Sequence, residues 1–344
     1  MKNEYLRWMA DVTPWWHDSA KQGEAASAFE NGCVGMTTNP FLMAAALTAE
    51  KDTWTEVLKN VDRSLTGDAK ALDLERVVAQ HYTAQLTGIW DGGKDPRKGG
   101  VCAQVSPCNI GNAKLLTEQM NTIASFAPNV FVKLPATWSG MVAFEEGIAN
   151  GYNVVSTVSF SVPQVIAAAE AQKRGEARAK AAGKKPGNGV AVVMLGRLDD
   201  YIRDAAMESG LNITDEEVSM SGVAVMKKAY QIYQQRGYKT VLMPAGGRMP
   251  HHVTELAGAK GMAMTISARV QQMLAEKNPA HESRIDVPVD KAVMDKLLAL
   301  PEFVKAYNED GMTEKEFIAY GAVNRTATMF AESGWNILLN YKID

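Results

Sequence analysis

The sequence predicts an α/β fold, a closed (β/α)8 barrel with additional helices at its C-terminal end. Three observations carry that expectation. Short apolar runs alternate with longer stretches of helical periodicity, the pattern of repeated βα units on a parallel sheet. The runs show almost no polar alternation, as expected of strands buried on both faces. The segment after the first run reads HDSAKQGEA, which matches neither a dinucleotide-binding fingerprint nor a phosphate loop. An open doubly wound sheet, the structural competitor, would normally carry such a loop there.

Taken in order, strands are expected at about 14–18 (PWWHD), 33–38 (CVGMTT), 101–106 (VCAQVS) and 130–136 (VFVKLPA), then at 153–159 (NVVSTVS), 190–195 (VAVVML), 240–245 (TVLMPA) and 261–267 (GMAMTIS). Helical patterns fill the gaps, among them 68–90, 112–126 with Asn112 as a possible N-cap, and 215–236 opened by Thr214-Asp215-Glu216-Glu217. Residues 173–189, KRGEARAKAAGKKPGNG, are basic and rich in alanine and glycine. They read as a solvated helix end and loop rather than a binding patch. From about 288 to 344 the chain reads as a helical extension. Its segment EFIAYGAVNRTATMFAESGWNILL has the amphipathic period of a helix packed on the barrel's outside or over its mouth. Barrels commonly run to this length as one domain, and residues 1–344 are read as one.

Composition narrows the function classes. The 344 residues are 46% hydrophobic and 22% charged, with a formal net charge of −3. That is an ordinary mix for a globular protein with a large core, and it offers no electrostatic reason to expect nucleic acid or an anionic membrane as partner. The opening MKNEYLRWMADVTPWW has early charges and no uninterrupted apolar stretch, so it does not read as a signal peptide, and no segment approaches the length of a membrane-spanning helix. A cytoplasmic location is expected. The three cysteines, Cys33, Cys102 and Cys108, fall in expected strands or at their ends and read as reduced core or near-core thiols. The five histidines show no metal-ligand spacing, and His251-His252 reads as a surface pair opening a helix.

In a (β/α)8 barrel function collects at the C-terminal ends of the strands, where Asp18, Asn39, Gln104, Lys133, Thr157, Arg197 and Arg248 lie. Lys133 is the most informative, because it interrupts the apolar strand VFVKLPA and an ammonium loses several kcal/mol of hydration on burial. One reading is a lysine paired with a carboxylate or pointing outward through the helix layer. The other is an amine held neutral by burial, able to attack a ketone.

A resemblance bears on that choice. The segment GMTTNPFLMAAAL (35–47) resembles the Thr-Thr-Asn-Pro signature of transaldolases. VKLPATWSGMVAFEEGIANGYNVVSTVSFS (132–161) is similar to that family's Schiff-base lysine region, and VLMPAGGRMPHHVTELAG (241–258) with GMAMTIS (261–267) to its seventh and eighth barrel strands. The similarity covers most of the chain in the family's order. It implies that Lys133 forms the Schiff base and that Asp18 is the acid/base at the sugar's C4 hydroxyl. It also implies that Asn39 and Asn153 hydrogen-bond the bound three-carbon unit, that Thr157 positions a catalytic water, and that Arg197 and Arg248 hold the substrate's terminal phosphate. Read without the resemblance, Asp18 is a helix N-cap for the segment from Ser19, Asn39 a turn residue before proline, and each arginine a surface salt bridge.

The chain also departs from the family. Gln104 stands where transaldolases usually have a glutamate, which resembles the fructose-6-phosphate aldolase branch. That branch, however, places a tyrosine where Met194 stands, and transaldolases have serines where Val192 and Gly246 align. The expected activity is transfer of a dihydroxyacetone unit from a ketose phosphate or sulfonate to an aldose. The alternatives are an aldolase that releases dihydroxyacetone and a catalytically silent sugar-phosphate binding protein. No cofactor or metal is expected, since an iminium is its own electron sink. The partners expected are small sugar phosphates or sulfonates, and the resemblance allows a homo-oligomer.

Overall fold

The computed structural model describes residues 2–343, so Met1 and Asp344, the outermost positions of the expected domain and extension, lie outside the described residues. Each of the eight expected runs forms a strand: β1 Trp15–Asp18, β2 Met36–Thr37, β3 Val101–Gln104, β4 Val130–Pro135, β5 Asn153–Thr157, β6 Gly189–Met194, β7 Val241–Ala245 and β8 Met264–Ile266. All pairings are parallel, in the order β7-β6-β5-β4-β3-β2-β1-β8. A bridge between Leu242 and Met262 joins the two ends of that order, with the Ala263 N–H donating to the Leu242 carbonyl at 3.2 Å. The result is a (β/α)8 barrel.

Alternation along the strands sets its interior. Trp16 and Phe131 meet edge to face with centroids 5.4 Å apart. They close the lower barrel because Gly35 and Gly100 have no side chain, and a Cβ on either would strike these rings. Two residues further along the same strands, the next inward layer holds Asp18 and Lys133.

β2 is only two residues long because Asn39-Pro40 turns the chain at once into the helix Pro40–Ala49. The Asn39 Oδ1 caps that helix by accepting from the Leu42 N–H at 2.9 Å. The ladder to β3 therefore stops at Met36–Val101, opening a lateral gap between β2 and β3 toward the mouth.

The expected helices appear at Gly67–Gln85 and Ala113–Ala124, the second capped by Asn112 Oδ1 on the Leu115 N–H at 3.1 Å. The segment 215–236 is two helices, Asp215–Val218 and Ser221–Arg236, instead of one. A Thr214–Glu217 capping box starts the first, and the Ser219 and Ser221 hydroxyls bond the carbonyls of Glu216 and Val218 at the break. The basic segment 173–189 is helical as far as Ala181, within Val162–Ala181. Arg174 and Arg178 pair with Glu145 and Glu146, and Gly175 lets that helix lie close to Trp138–Ala149. Most of the segment, including residues 180–185, is nonetheless exposed, as expected of a solvated helix end and loop.

The C-terminal extension is helical, as expected, and its last part crosses the mouth. Tyr320 packs edge to face on Tyr201 of the helix Leu195–Ser209, followed by the helix Gly321–Phe330 and a π-helical turn Ala331–Trp335. The Trp335 Nε1 donates to Asp68 at 2.8 Å, and Gly334 meets the backbone of Pro40 and Phe41. Cys33 and Cys102 are buried free thiols, pushed up to about 12 and about 11 by burial. Cys108 corrects the sequence expectation: it is exposed, in the turn Pro107–Asn109 beyond the end of β3, where proline cannot continue the ladder. Among the described residues no helix is long and apolar enough to cross a membrane.

Candidate active site

Lys133 lies midway along β4, 6% exposed, opposite Gln104 on β3 and Val155 on β5. Its ammonium donates to the backbone carbonyl of Thr38 at 2.8 Å, reaching across β3 to the gap beyond β2. Among the described residues no carboxylate forms an ion pair with it. It is thus neither an outward-pointing lysine nor one arm of a buried salt bridge.

Asp18 ends β1. Its Oδ1 accepts from the Thr37 hydroxyl at 2.8 Å, and Thr37 in turn shares a hydrogen bond with Thr265 of β8. The helix after β1 starts at Gln22 with Lys21 at its N-cap, so Asp18 does not cap it. The two threonines fix one carboxylate oxygen of Asp18. The charges of Asp18 and Lys133 both act on the Cys102 thiol, and that of Asp18 on the Arg197 guanidinium.

Gln104 is buried with its side-chain oxygen unpartnered, and its N–H, facing the β2–β3 gap, is taken by Glu75 Oε2 at 3.0 Å. Glu75 was not singled out from the sequence. It is fully buried on the helix Gly67–Gln85, its other oxygen has no partner, and burial raises its carboxyl to about 8 against the opposing pull of the Gln104 N–H and the Lys133 charge. The signal was present: Ala71, Glu75, Val78, Ala79 and Tyr82 form one helical stripe, with a carboxylate where a core residue belongs.

Thr157 ends β5, buried, with its carbonyl accepting from the Ala136 N–H at 2.6 Å. The next residue, Val158, has φ +52°, unusual for a β-branched residue. Gln164 over-determines that bend, bonding Ala136 O, Val158 O and the Phe160 N–H. Asn39 spends its oxygen on the helix cap described above, and its amide nitrogen has no hydrogen bond among the described residues. Asn153 is not brought to this site. It begins β5 beside Phe131, and its amide is engaged with Pro128 O, Val130 O and Asn188. The inward residue level with Lys133 is Val155.

Arg197 lies in the first turn of Leu195–Ser209, its guanidinium 5.3 Å from the Phe330 ring centroid. It has no ion pair among the described residues, and burial, then the neighbouring Arg248 charge, lower its proton affinity. Arg248, in the turn after β7, pairs with Asp200 at 2.6 Å. Two adjacent guanidinium groups, one buried without a counter-ion, are suited to an anion. His252 corrects the surface reading of the histidine pair: it is 2% exposed, with its ring packed against Ser219 and Asp199. Val192 and Met194 point inward on β6, two and four residues beyond Val190, which is level with Val155, so these positions carry no hydroxyl, and Gly246 turns the chain at φ +61°.

The chain is 25% identical to Transaldolase A of Pasteurella multocida over 281 residues, covering 80% of this chain and 81% of that protein. It is 27% identical to Transaldolase 1 of Streptomyces avermitilis over 254 residues, 70% of this chain and 66% of the relative. It is 25% identical to the Transaldolase of Mycolicibacterium paratuberculosis over 298 residues, 83% and 79% respectively. The family profile described as Transaldolase/Fructose-6-phosphate aldolase matches residues 15–330, nearly the whole barrel and its extension, and the chain belongs to that family of enzymes.

Proposed function

We propose that this enzyme transfers a dihydroxyacetone unit from a ketose phosphate or sulfonate to an aldose acceptor through a Schiff base on Lys133. One observation carries the reading: an inward lysine, 6% exposed, whose one hydrogen bond among the described residues is to a neutral carbonyl and which shares its layer with a carboxylate held by Thr37. The unprotonated amine adds to the ketose carbonyl, and loss of water gives an iminium. Asp18 takes the C4 hydroxyl proton, the C3–C4 bond breaks, and its electrons move to the iminium to form an enamine. An aldose leaves. The enamine then attacks an acceptor aldehyde, Asp18 returns its proton to the new hydroxyl, and water releases the product ketose.

Arg197 and Arg248 hold the substrate's terminal anion, and the Asn39 amide binds a hydroxyl of the three-carbon unit. Gln104 and Thr157 border the water that is lost as the iminium forms and taken up again as it is hydrolysed. Asn153 is left out of this scheme, because its amide is already spent at the lower end of β5.

Transfer is favoured over release because release requires a proton donor at the enamine carbon. Met194 and Val192 supply none, and Gln104 can hold a water without ionising to activate it. The test is to supply a ketose donor with and without an acceptor aldose and measure free dihydroxyacetone. Transfer predicts release far slower than turnover with acceptor. Steady release at a rate close to transfer makes the enzyme an aldolase, the reading that Gln104 favours.

A further inference from the structure

The turn after β7, residues 246–250, carries Arg248 and has no ladder or helix to hold it. Its main hold is a side chain. The Arg248 N–H donates to Nδ1 of His252 at 2.9 Å, and the Met249 N–H approaches the same nitrogen at 3.4 Å. Backbone N–H groups only donate, so Nδ1 is the bare nitrogen of the ring and the proton sits on Nε2. Nε2 lies 3.2 Å from the Ser219 carbonyl and 2.8 Å from Asp199 Oδ2. Asp199 is 2% exposed, and its other oxygen accepts from the Gly222 N–H at 2.8 Å. A Cβ on Gly247 would lie 3.1 Å from the Cβ of His252, so glycine lets the turn close over that residue.

We propose that His252 is the positioning residue of the anion clamp, fixing the backbone of Arg248 and so the separation of its guanidinium from that of Arg197. This rests on the clamp reading above and extends it. Arg197 and Asp199 stand two residues apart on the helix after β6, while His252 follows Arg248 after β7. One buried carboxylate–imidazole contact therefore ties together the two segments that carry the arginines. Without it, each anion bound would have to order the turn at the expense of affinity. Asp200, which pairs with Arg248, and His251, whose Nε2 also faces Ser219 O, are the other ionisable groups at this junction.

The test uses the full chain and inorganic phosphate as probe, with affinity read by calorimetry and folding checked by circular dichroism. Arg248→Ala should weaken phosphate binding about tenfold or more. His252→Leu should weaken it by a similar factor although Arg248 is present, and His252→Asn, whose amide oxygen can accept from the Arg248 N–H, should recover most of the loss. If His252→Leu does not fold, the near-isosteric Asp199→Asn replaces it and should weaken binding severalfold. Loss in Arg248→Ala with parental binding in the position-252 and position-199 variants would overturn the positioning role and leave the clamp standing. Equal loss in His252→Leu and His252→Asn would overturn it too. Parental binding in Arg248→Ala would overturn the clamp itself, and this inference with it.

Discussion

Glu75 accepts the backbone N–H of Gln104 at 3.0 Å and thereby fills the gap that the two-residue strand β2 leaves beside β3. Lys133 reaches into the same gap from the other side of β3 to bond Thr38. A carboxyl from the helix layer and the amine of the inner layer therefore approach each other behind position 104, where the strand itself carries only an amide.

That placement has a pH signature. Burial raises the Glu75 carboxyl from 4.5 to about 8, so the folded protein binds this proton more tightly than the unfolded chain. The stability contributed by the neutral form is complete below pH 4.5, falls as pH rises, and is lost once pH passes about 8. Glu75→Gln keeps an acceptor for the Gln104 N–H and removes the titration. The melting temperature of the parent, relative to that variant, should drop between pH 5 and pH 8 by an amount on the order of a few kcal/mol of stability. Parallel melting curves across this range would show that Glu75 is not a buried titrating group.

The two arginines should not be equivalent. Arg197 is the more buried and has no ion pair among the described residues, whereas Arg248 already pairs with Asp200. Arg197→Ala should raise KM for an anionic ketose by roughly 30-fold, corresponding to about 2 kcal/mol for a charge-assisted hydrogen bond to a desolvated anion, and should leave KM for dihydroxyacetone nearly unchanged. Asp200→Asn should act in the opposite direction and lower KM for the anionic ketose by freeing Arg248. Steady-state kinetics on charged and uncharged substrates checks both.

Met194 bears on the choice between transfer and release. It sits at the inward end of β6, with its N–H bonded to Ser159 O at 2.9 Å. Met194→Tyr places a hydroxyl on a wall that otherwise carries Val192, and it should raise the rate of free dihydroxyacetone release while leaving adduct formation on Lys133 intact. Unchanged release, measured without acceptor, would remove the argument from the missing hydroxyl.

Much of the barrel was legible because its strands are buried on both faces and write that burial as uninterrupted apolar runs. The exceptions are local. β2 shrank because a cap and a proline start a helix at once, and 215–236 broke where serine hydroxyls compete for helix carbonyls. In the candidate site, Lys133 could be singled out as a charge inside an apolar strand. Asn153 could not be judged the same way, since one strand end looks like the other until the register shows Val155 level with Lys133. Glu75 and His252 escaped for a different reason. Periodicity marks Glu75 as a carboxylate in a core stripe, but the partner of each is a backbone N–H 29 or 4 residues away, and the sequence does not name such a partner.

The central claim is that Lys133 forms the covalent intermediate. Borohydride added during turnover of a ketose donor should reduce the iminium and leave a sugar-derived mass on the peptide that contains Lys133. Lys133→Met, which keeps the length of the side chain and removes the amine, should abolish both that adduct and turnover. Mass spectrometry of the digested protein decides it: a label confined to Lys133 is the expected result, and a label on a different lysine, or turnover persisting in Lys133→Met, would contradict the account.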